Sequence, residues 1–440
     1  MALVGILCVG CEKFLEESPN KRLAVASTLQ DYQALLDQHY NINVLDAAAG
    51  EVSSDDYYLS DADWARQVET SRRMYVWERE NIFGAQLNDW YNTYTPLYRF
   101  NTVIAGIGEV QVGEKEIAQR DNISGQAHFM RARSFFNAVQ IWAKAYDPAT
   151  AGSELGIPLR LNTDFNERSV RSTLAESYRQ IISDLKTAVP LLAVVPVSPM
   201  RASRPAAYGL LARVYLSMND YENAGLYADS CLRLRSQLLD YSTLNAAAAY
   251  PISQMNKEVI FSAIMNTPTI LLSTYAKVSP ELYDSYGSTD LRKTVFFRRN
   301  TDGSYAYKGS YDGSFAQFTG ISVNEQYLIR AESHVRAGRL AEARTDLNAL
   351  LAGRMARPFV PVATDDPAAL LARILSERRK ELLFRGLRWM DLKRLNQSGA
   401  GISISRTVNG KLYSLAAGSD RFALTIPEQV IAISGMQQNP

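Results

Sequence analysis

The sequence has little histidine, little cysteine and almost no net charge. Its 440 residues include 3 His and 3 Cys, and 47 Lys and Arg oppose 46 Asp and Glu, which leaves a net charge of +1. A protein that neutralises a nucleic-acid backbone needs a surplus of Lys and Arg, so this balance argues against that function. A chain of this length can bury about three-quarters of its surface, so it needs neither disulfides nor a metal to fold.

Long hydrophobic runs and enzyme signatures are also missing. After the first eleven residues no segment approaches about 18 consecutive apolar residues, the length that a membrane span requires, and the longest run, 188–197, is interrupted by Pro190 and Pro196. The sequence contains no nucleophile elbow, phosphate-binding loop, dinucleotide fingerprint or HExxH motif. Nothing singles out two of the 46 acids as a glycosidase pair. We therefore predict a protein that is not an enzyme and holds no cofactor.

The amino terminus carries a short apolar segment that ends at a cysteine. Residues 2–10, ALVGILCVG, precede Cys11, and a helix of this length rises only about 14 Å, which is too short to span a bilayer. The segment is typical of the hydrophobic part of a signal peptide. Gly10 before Cys11, with polar residues directly after it, resembles the lipobox of a bacterial lipoprotein. We predict a signal peptide at 1–10, with a truncated start because no basic residue precedes it, and a lipid anchor at Cys11. The alternatives are an ordinary signal peptide or a buried first strand.

Helical periodicity dominates the rest of the chain. Apolar residues three or four apart predict helices at 31–38, 86–107, 125–145, 173–192, 204–218, 221–234, 323–337, 340–351 and 367–385. Between them lie two loop-rich insertions, at about 41–80 and 241–320, the second with short strand-like runs. Long irregular segments in a compact protein commonly carry function. The fold class that we predict is all-α dominated, with long irregular insertions and a few short strands.

Two segments share the spacing of a tetratricopeptide repeat, in which small residues occur where two helices touch. The first set is Tyr208, Leu211, Ala212, Tyr215, Ala224, Ala228 and Cys231, and the second is Tyr327, Ala331, His334, Ala343, Leu347 and Leu350. A third first helix is predicted near His128, with its partner displaced to about residue 173. These positions favour core packing for both histidines and for the Cys231 thiol, and the array predicts a helical superhelix.

Several strings, in order along the chain, resemble the SusD/RagB family of surface nutrient-binding lipoproteins of Bacteroidota. The most recognisable is LSERRKELLFRGLRWMDLKRL at 375–395. CEKFLEESP at 11–19 resembles the mature start of members, FMRARSFFNAVQIWAKAYD at 129–147 their arginine-aromatic helix, and IPEQVIAISGMQQNP at 426–440 their closing segment. Arg385, Val430 and Ser434 depart from the residues common in the family, and we expect them to alter surface pairing only.

The resemblance implies a binding protein without catalysis, formed by a single SusD-like domain over 11–440. Members lie, lipid-anchored and surface-exposed, over a SusC-like TonB-dependent outer-membrane transporter and present oligosaccharides, or in some cases peptides, to it. Their tetratricopeptide helices contact the transporter, and their irregular insertions hold the ligand. The alternative is a tetratricopeptide scaffold that binds peptides or protein partners in its helical groove.

Candidate ligand-binding residues follow from the chemistry of sugars, which need flat apolar faces for their CH groups and polar groups for their hydroxyls. Both insertions supply such residues: Asp55, Asp56, Tyr57, Tyr58, Trp64, Trp77, Tyr283, Tyr286, Tyr311 and Asp312. Trp64 and Trp77 are alternatively core residues under a loop, and the tyrosines alternatively belong to solvated loops. Trp90, Tyr91, Tyr94 and Tyr98 lie at helical spacing, which favours packing. The acidic pairs Asp55–Asp56 and Asp61–Asp63 lack the loop pattern of a calcium site, so we predict no metal.

Overall fold

The structure is a computed structural model that describes residues 26–440, so the predicted signal peptide and Cys11 lie outside the described residues. Helices predominate, as predicted. They are α1 Leu29–Leu36, α2 His39–Ile42, α3 Ala49–Ser53, α4 Asp61–Ala65, α5 Glu69–Tyr75, α6 Asp89–Tyr94, α7 Leu97–Gly106, α8 Ile117–Trp142, α9 Leu174–Leu191, α10 Arg204–Ser217, α11 Tyr221–Leu234, α12 Pro280–Asp284, α13 Arg292–Val295, α14 Val323–Arg336, α15 Leu340–Ala352, α16 Pro367–Glu381, α17 Arg388–Gln397 and α18 Glu428–Ser434.

Short strands form two-stranded antiparallel ribbons. They are β1 Tyr57–Tyr58, β2 Leu155–Pro158, β3 Arg171–Thr173, β4 Val259–Phe261, β5 Lys277–Val278, β6 Phe297–Arg299, β7 Tyr305–Tyr307, β8 Ile321–Ser322, β9 Ile404–Val408 and β10 Lys411–Leu415. The pairs are β1 with β5, β2 with β3, β4 with β8, β6 with β7 and β9 with β10. Three of these pairs lie wholly or partly within the second insertion.

Local signals in the sequence explain where the helices begin and end. Thr173 caps α9 by accepting a hydrogen bond from the Glu176 amide, and the Glu176 carboxylate reaches back to the Thr173 amide, which satisfies two exposed donors. The helix predicted at 86–107 is divided into α6 and α7 around Pro96, because proline supplies no amide hydrogen for a continuous helix. Gly386 lies between α16 and α17 with φ +70°, a left-handed conformation that glycine adopts without strain.

The helical array consists of consecutive helices packed side by side. The predicted repeats correspond to the pairs α10–α11 and α14–α15. Helix α8, which contains His128, packs against α9, the displaced partner predicted at about residue 173. Small residues allow neighbouring helices to approach closely. At the contact of α11 with α14, a Cβ atom added to Gly225 would lie 2.8 Å from the Ser333 Cβ atom. The Cys231 thiol is free and buried, as predicted, and Trp142 and Trp389 are also buried. Within residues 26–440 no helix has the length and apolar character required to cross a bilayer.

A buried ion cluster joins the second insertion to the helical array. The Arg292 guanidinium lies 2.7 Å from the Asp290 carboxylate and 3.0 Å from that of Glu381. Arg354 lies 2.7 Å from Glu258 and 2.8 Å from Glu381. Both arginines and their acidic partners are buried. Removing one partner would therefore leave an uncompensated charge inside the protein, which is strongly destabilising. The cluster therefore sets the position of the second insertion against α16.

Candidate ligand-binding site

The two loop-rich insertions, which are distant in the sequence, meet in the structure. Strand β1 of the first insertion pairs with β5 of the second, with Tyr57 opposite Val278 and Tyr58 opposite Lys277. The Lys277 ammonium also lies 2.5 Å from the Asp63 carboxylate. We call the surface around this ribbon the insertion junction; its aromatic and charged members are Tyr58, Asp63, Trp64, Arg72, Lys277, Tyr283, Lys293 and Tyr305. A cavity of about 250 Å³ opens beside it, lined by residues that include Tyr58, Pro280 and Arg406.

A stacked pair of tyrosines provides a flat face at the junction. The rings of Tyr283 and Tyr305 lie 3.5 Å apart between centroids, with an angle of 12° between their planes. The Lys293 ammonium lies 4.6 Å from the Tyr283 ring centre. Burial, and then the neighbouring Tyr305 hydroxyl, raise the pKa of Tyr283 to about 12. The phenol therefore stays protonated at neutral pH and keeps its hydrogen-bond donor.

Trp64 supplies a second aromatic face from the first insertion. Its ring is partly exposed, and the Arg72 guanidinium carbon lies 5.2 Å from the ring centre. Within the described chain the buried indole nitrogen of Trp64 has no hydrogen-bond partner. Ser60 caps α4 by accepting a hydrogen bond from the Asp63 amide, and this cap determines where the helix that carries Trp64 begins. Flat rings beside Lys and Arg groups are suited to stacking and hydrogen bonding with a polyhydroxyl ligand.

The acidic residues at the start of β1 fasten the insertion to the helical array. Asp55 lies 2.7 Å from Arg388 and 3.1 Å from Arg379, and Asp56 lies 2.9 Å from Arg379. Burial by itself would raise the pKa of Asp55, but the hydrogen bonds and charge of Arg388 outweigh it and lower the pKa to about 2. Burial raises the pKa of Asp56. Both carboxylates therefore form ion pairs that hold the first insertion against α16 and α17.

Ion pairs with distant residues also decide the partners of charged side chains in the 375–395 segment. The sequence allows Arg388 to pair with Asp391 across one helical turn. Instead Arg388 binds Asp55, and Asp391 lies 2.8 Å from Arg378 and 2.7 Å from Arg394. Arg385, expected to affect surface pairing, is buried with its guanidinium carbon 3.9 Å from the Tyr311 ring centre. The packing of the insertions against α16 and α17 decides these partners.

Five of the ten predicted ligand-binding residues are buried and have partners inside the protein. Asp56 binds Arg379; the hydroxyl of Tyr57 donates to the Val52 carbonyl at 2.8 Å; the indole of Trp77 donates to the Ser53 carbonyl at 3.0 Å; the hydroxyl of Tyr286 donates to the Lys380 carbonyl at 2.8 Å; and the hydroxyl of Tyr311 donates to the Glu258 carboxylate at 2.5 Å. Enclosed side chains have no free face for a ligand, so the expected direct contact does not hold for these five. The turn at 309–315 directs Tyr311 inward.

The other five remain partly accessible. Tyr58, Trp64 and Tyr283 lie at the insertion junction, and Asp55 lines its cavity. Asp312 accepts a hydrogen bond from Gln254 at 3.0 Å and another from Ser314. These residues stay predictions as ligand contacts. The ten predicted residues do not include Tyr305, whose alternation with Ala306 and Tyr307 indicates a strand, or Arg406, which comes from the distant β9–β10 hairpin and carries no local signal.

No metal site emerges at the junction. Among residues 26–440, no group of three or more His, Cys, Asp or Glu side chains is arranged to hold a metal ion. His128 instead lies 2.9 Å from the Asp184 carboxylate, within the packed interface of α8 and α9.

Comparison with known proteins identifies relatives along most of the chain. Residues 13–216 match the family described as "Starch-binding associating with outer membrane", and residues 276–428 match the "SusD family". The SusD-like protein P25 of Formosa agariphila is 26% identical over 277 residues, which are 58% of this chain and 49% of that relative, so the match spans about half of its length. The SusD-like protein P38 of the same organism is 23% identical over 394 residues, 73% of this chain and 74% of the relative.

Solved structures of the same fold cover nearly the whole chain. A putative sugar binding protein from Bacteroides vulgatus aligns with a TM-score of 0.78 at 22% identity, over 95% of this chain and 99% of its own. A SusD superfamily protein from Bacteroides thetaiotaomicron aligns with a TM-score of 0.76 at 24% identity, over 94% and 100%. A laminarin binding SusD-like protein aligns with a TM-score of 0.69 at 19% identity, over 94% and 100%. These alignments show that the chain shares the fold of those proteins, and the two family matches, which together span most of the chain, show that it belongs to the SusD/RagB family.

Proposed function

We propose that this protein is a cell-surface lipoprotein that binds a nutrient oligosaccharide and delivers it to a TonB-dependent outer-membrane transporter, without catalysis. The observation that carries the proposal is the insertion junction. Two irregular segments from distant parts of the sequence place aromatic faces and hydrogen-bonding groups side by side there. The ligand-binding residues that we propose are Tyr58, Trp64 and Tyr283.

The chemistry of the junction suits a sugar. Stacked Tyr283 and Tyr305 provide a flat surface for ring CH groups. The Lys277 and Asp63 side chains lie between the insertions and supply a donor and acceptors for hydroxyl groups. Lys277 and Asp63 pair with each other, so this pair adds no net charge to the junction.

The anchor and the partner follow from the family. The first matched family is described as associating with the outer membrane, and Cys11 follows a short apolar segment in the sequence. Acylation of Cys11 with several chains would hold the protein stably at the membrane surface. We propose that the tetratricopeptide-like helices contact a SusC-like transporter, while the insertion junction holds the ligand.

Affinity electrophoresis in gels containing a neutral polysaccharide tests the ligand proposal. We expect Trp64→Ala and Tyr283→Ala to reduce retardation in a gel that retards the wild type, because each removes an aromatic face from the junction. The matched control is Tyr40→Ala, since Tyr40 is 86% exposed on α2, outside the defined junction. Starch, laminarin and other neutral glucans form the initial panel.

The same assay distinguishes the peptide-scaffold alternative. If both junction variants keep full retardation on the polysaccharide that retards the wild type, the junction is not the ligand site. If no polysaccharide retards the wild type and peptides bind in the helical groove instead, the oligosaccharide proposal is wrong.

A further inference from the structure

A second cavity is lined by residues outside the insertion junction. It has a volume of about 760 Å³ and is formed by α6, α7, the loop 160–169 and α18. Pockets that bind small ligands typically measure about 300–1,000 Å³ and combine apolar and aromatic walls with a few placed polar groups. We call this feature the α6–α7 groove.

Two stacked aromatic pairs form its walls. The rings of Trp90 and Tyr94 lie 4.5 Å apart with an angle of 21°, and those of Tyr98 and Phe165 lie 4.8 Å apart with an angle of 24°. Trp90 is buried against Trp142, so the first pair belongs to the core. Tyr98 is 45% exposed and Phe165 is 77% exposed. The outer faces of this exposed stack lie on the rim of the cavity, and large exposed apolar surface of this kind often marks a binding site.

The loop that carries Phe165 is held in place by a dense set of hydrogen bonds. The Arg160 guanidinium donates to the Glu167 carbonyl at 2.6 Å and to the Asp164 carbonyl at 2.5 Å. The buried Asn101 amide donates to the Arg160 and Asn162 carbonyls at 2.9 and 3.0 Å. Asn101 is in turn held by Arg131 at 3.0 Å. The aromatic stack is therefore pre-organised, which reduces the entropy lost on binding.

The polar groups of the groove indicate the class of ligand. Arg99 and Arg160 are balanced by Asp164 and Glu167 among the lining residues, so the groove has no surplus of either charge and is complementary to a neutral ligand. Arg99 and Tyr98 both line the groove, and Tyr98 is 45% exposed. Guanidinium and hydroxyl donors beside an exposed aromatic face match the hydroxyls and CH faces of a sugar.

We propose that the α6–α7 groove is a second binding site for neutral oligosaccharides, separate from the insertion junction. Tyr98 and Phe165 stack on the sugar, and Arg99 binds its hydroxyls. Two sites on one protein would allow a long glycan to be held at two points, which raises its apparent affinity without any new contact at the junction.

Isothermal titration of the full chain with short neutral oligosaccharides tests the second site. The variants are Tyr98→Ala/Phe165→Ala for the groove, Tyr283→Ala for the junction, and Tyr91→Ala as the matched control, since Tyr91 is 49% exposed on α6 but does not line the groove. We expect the wild type to bind at two sites and the groove variant at one. The loss of two aromatic faces weakens the groove by roughly tenfold.

The outcomes separate this proposal from the proposed function. If the groove variant and wild type bind with the same stoichiometry and affinity while Tyr283→Ala loses binding, the second site is refuted and the junction stands. If Tyr283→Ala keeps only the groove site and the groove variant keeps only the junction site, the groove binds sugar independently of the junction. Binding of apolar peptides but of no sugar in the groove would also refute the proposal. Melting temperatures equal to that of Tyr91→Ala exclude unfolding as the cause.

Discussion

Trp77→Ala is expected to lower stability while leaving the insertion junction chemically intact. Trp77 is only 2% exposed, although its position in the first insertion also allows a ligand-binding role. Its indole N–H donates to the Ser53 carbonyl at 3.0 Å, and the Arg406 guanidinium carbon lies 4.9 Å from its ring centre. The substitution would remove a core side chain, a hydrogen bond and a cation–π contact together.

The magnitude follows from these contacts. Truncating a buried tryptophan to alanine costs about 3–5 kcal/mol through lost transfer free energy and the cavity left behind. The backbone of Trp77 has φ +57°, and alanine does not relieve this left-handed conformation. If the chain unfolds as one unit, an unfolding entropy of about 0.9 kcal/mol/K for this length converts the loss into a decrease in Tm of about 3–6 °C.

Differential scanning calorimetry of Trp77→Ala, Trp77→Phe and Trp64→Ala measures this effect. We expect a large decrease in Tm for Trp77→Ala, a smaller one for Trp77→Phe, which keeps most of the apolar volume, and the smallest for the partly exposed Trp64→Ala. Gel retardation is measured on the same proteins well below their melting temperatures. A Trp77→Ala protein that melts like the wild type but has lost polysaccharide binding would refute the core assignment.

Two further predictions concern the ion pairs of the insertion and the anchor. The pKa of Asp55 is lowered to about 2 in the folded protein, so its carboxylate contributes about 2 kcal/mol of stability above its unfolded pKa, and this contribution is lost as the pH falls towards the folded pKa. Asp55→Asn should therefore unfold at lower urea concentration than the wild type at pH 7, with a difference that shrinks below about pH 4; a difference independent of pH would contradict the ion-pair argument. Cys11→Ser should move the protein from the membrane fraction to the released fraction of expressing cells, and a variant that stays with the membrane would show that Cys11 is not the anchor.

The helical scaffold was predictable because its signals are local. These signals are apolar residues three or four apart, small residues at helix contacts, and caps such as Thr173 with Glu176. Each depends only on residues within a few positions of one another. The predicted repeats appear as α10–α11 and α14–α15. The division of the 86–107 segment was also within reach, since Pro96 stands inside it.

The aromatic residues of the insertions were predictable as a group but not individually. Tyr57 and Tyr58 are neighbours in sequence, yet one is enclosed and the other partly exposed, because successive side chains of a strand point to opposite faces. Composition does not show which face of the strand is buried. That depends on the second insertion, which pairs with this strand although it lies more than 200 residues later in the chain.

The sequence by itself determined the family, the helical array, the core thiol at Cys231 and the two insertions in which to seek a ligand. Only the tertiary structure decided which of their residues face outward. It paired Asp55 with Arg388 and enclosed Trp77 and Tyr311. It also showed that α6 and α7, whose aromatic spacing favoured packing, border the α6–α7 groove. The physical reason is that helix formation depends on neighbours in the chain, whereas burial depends on what distant segments bring to the same place.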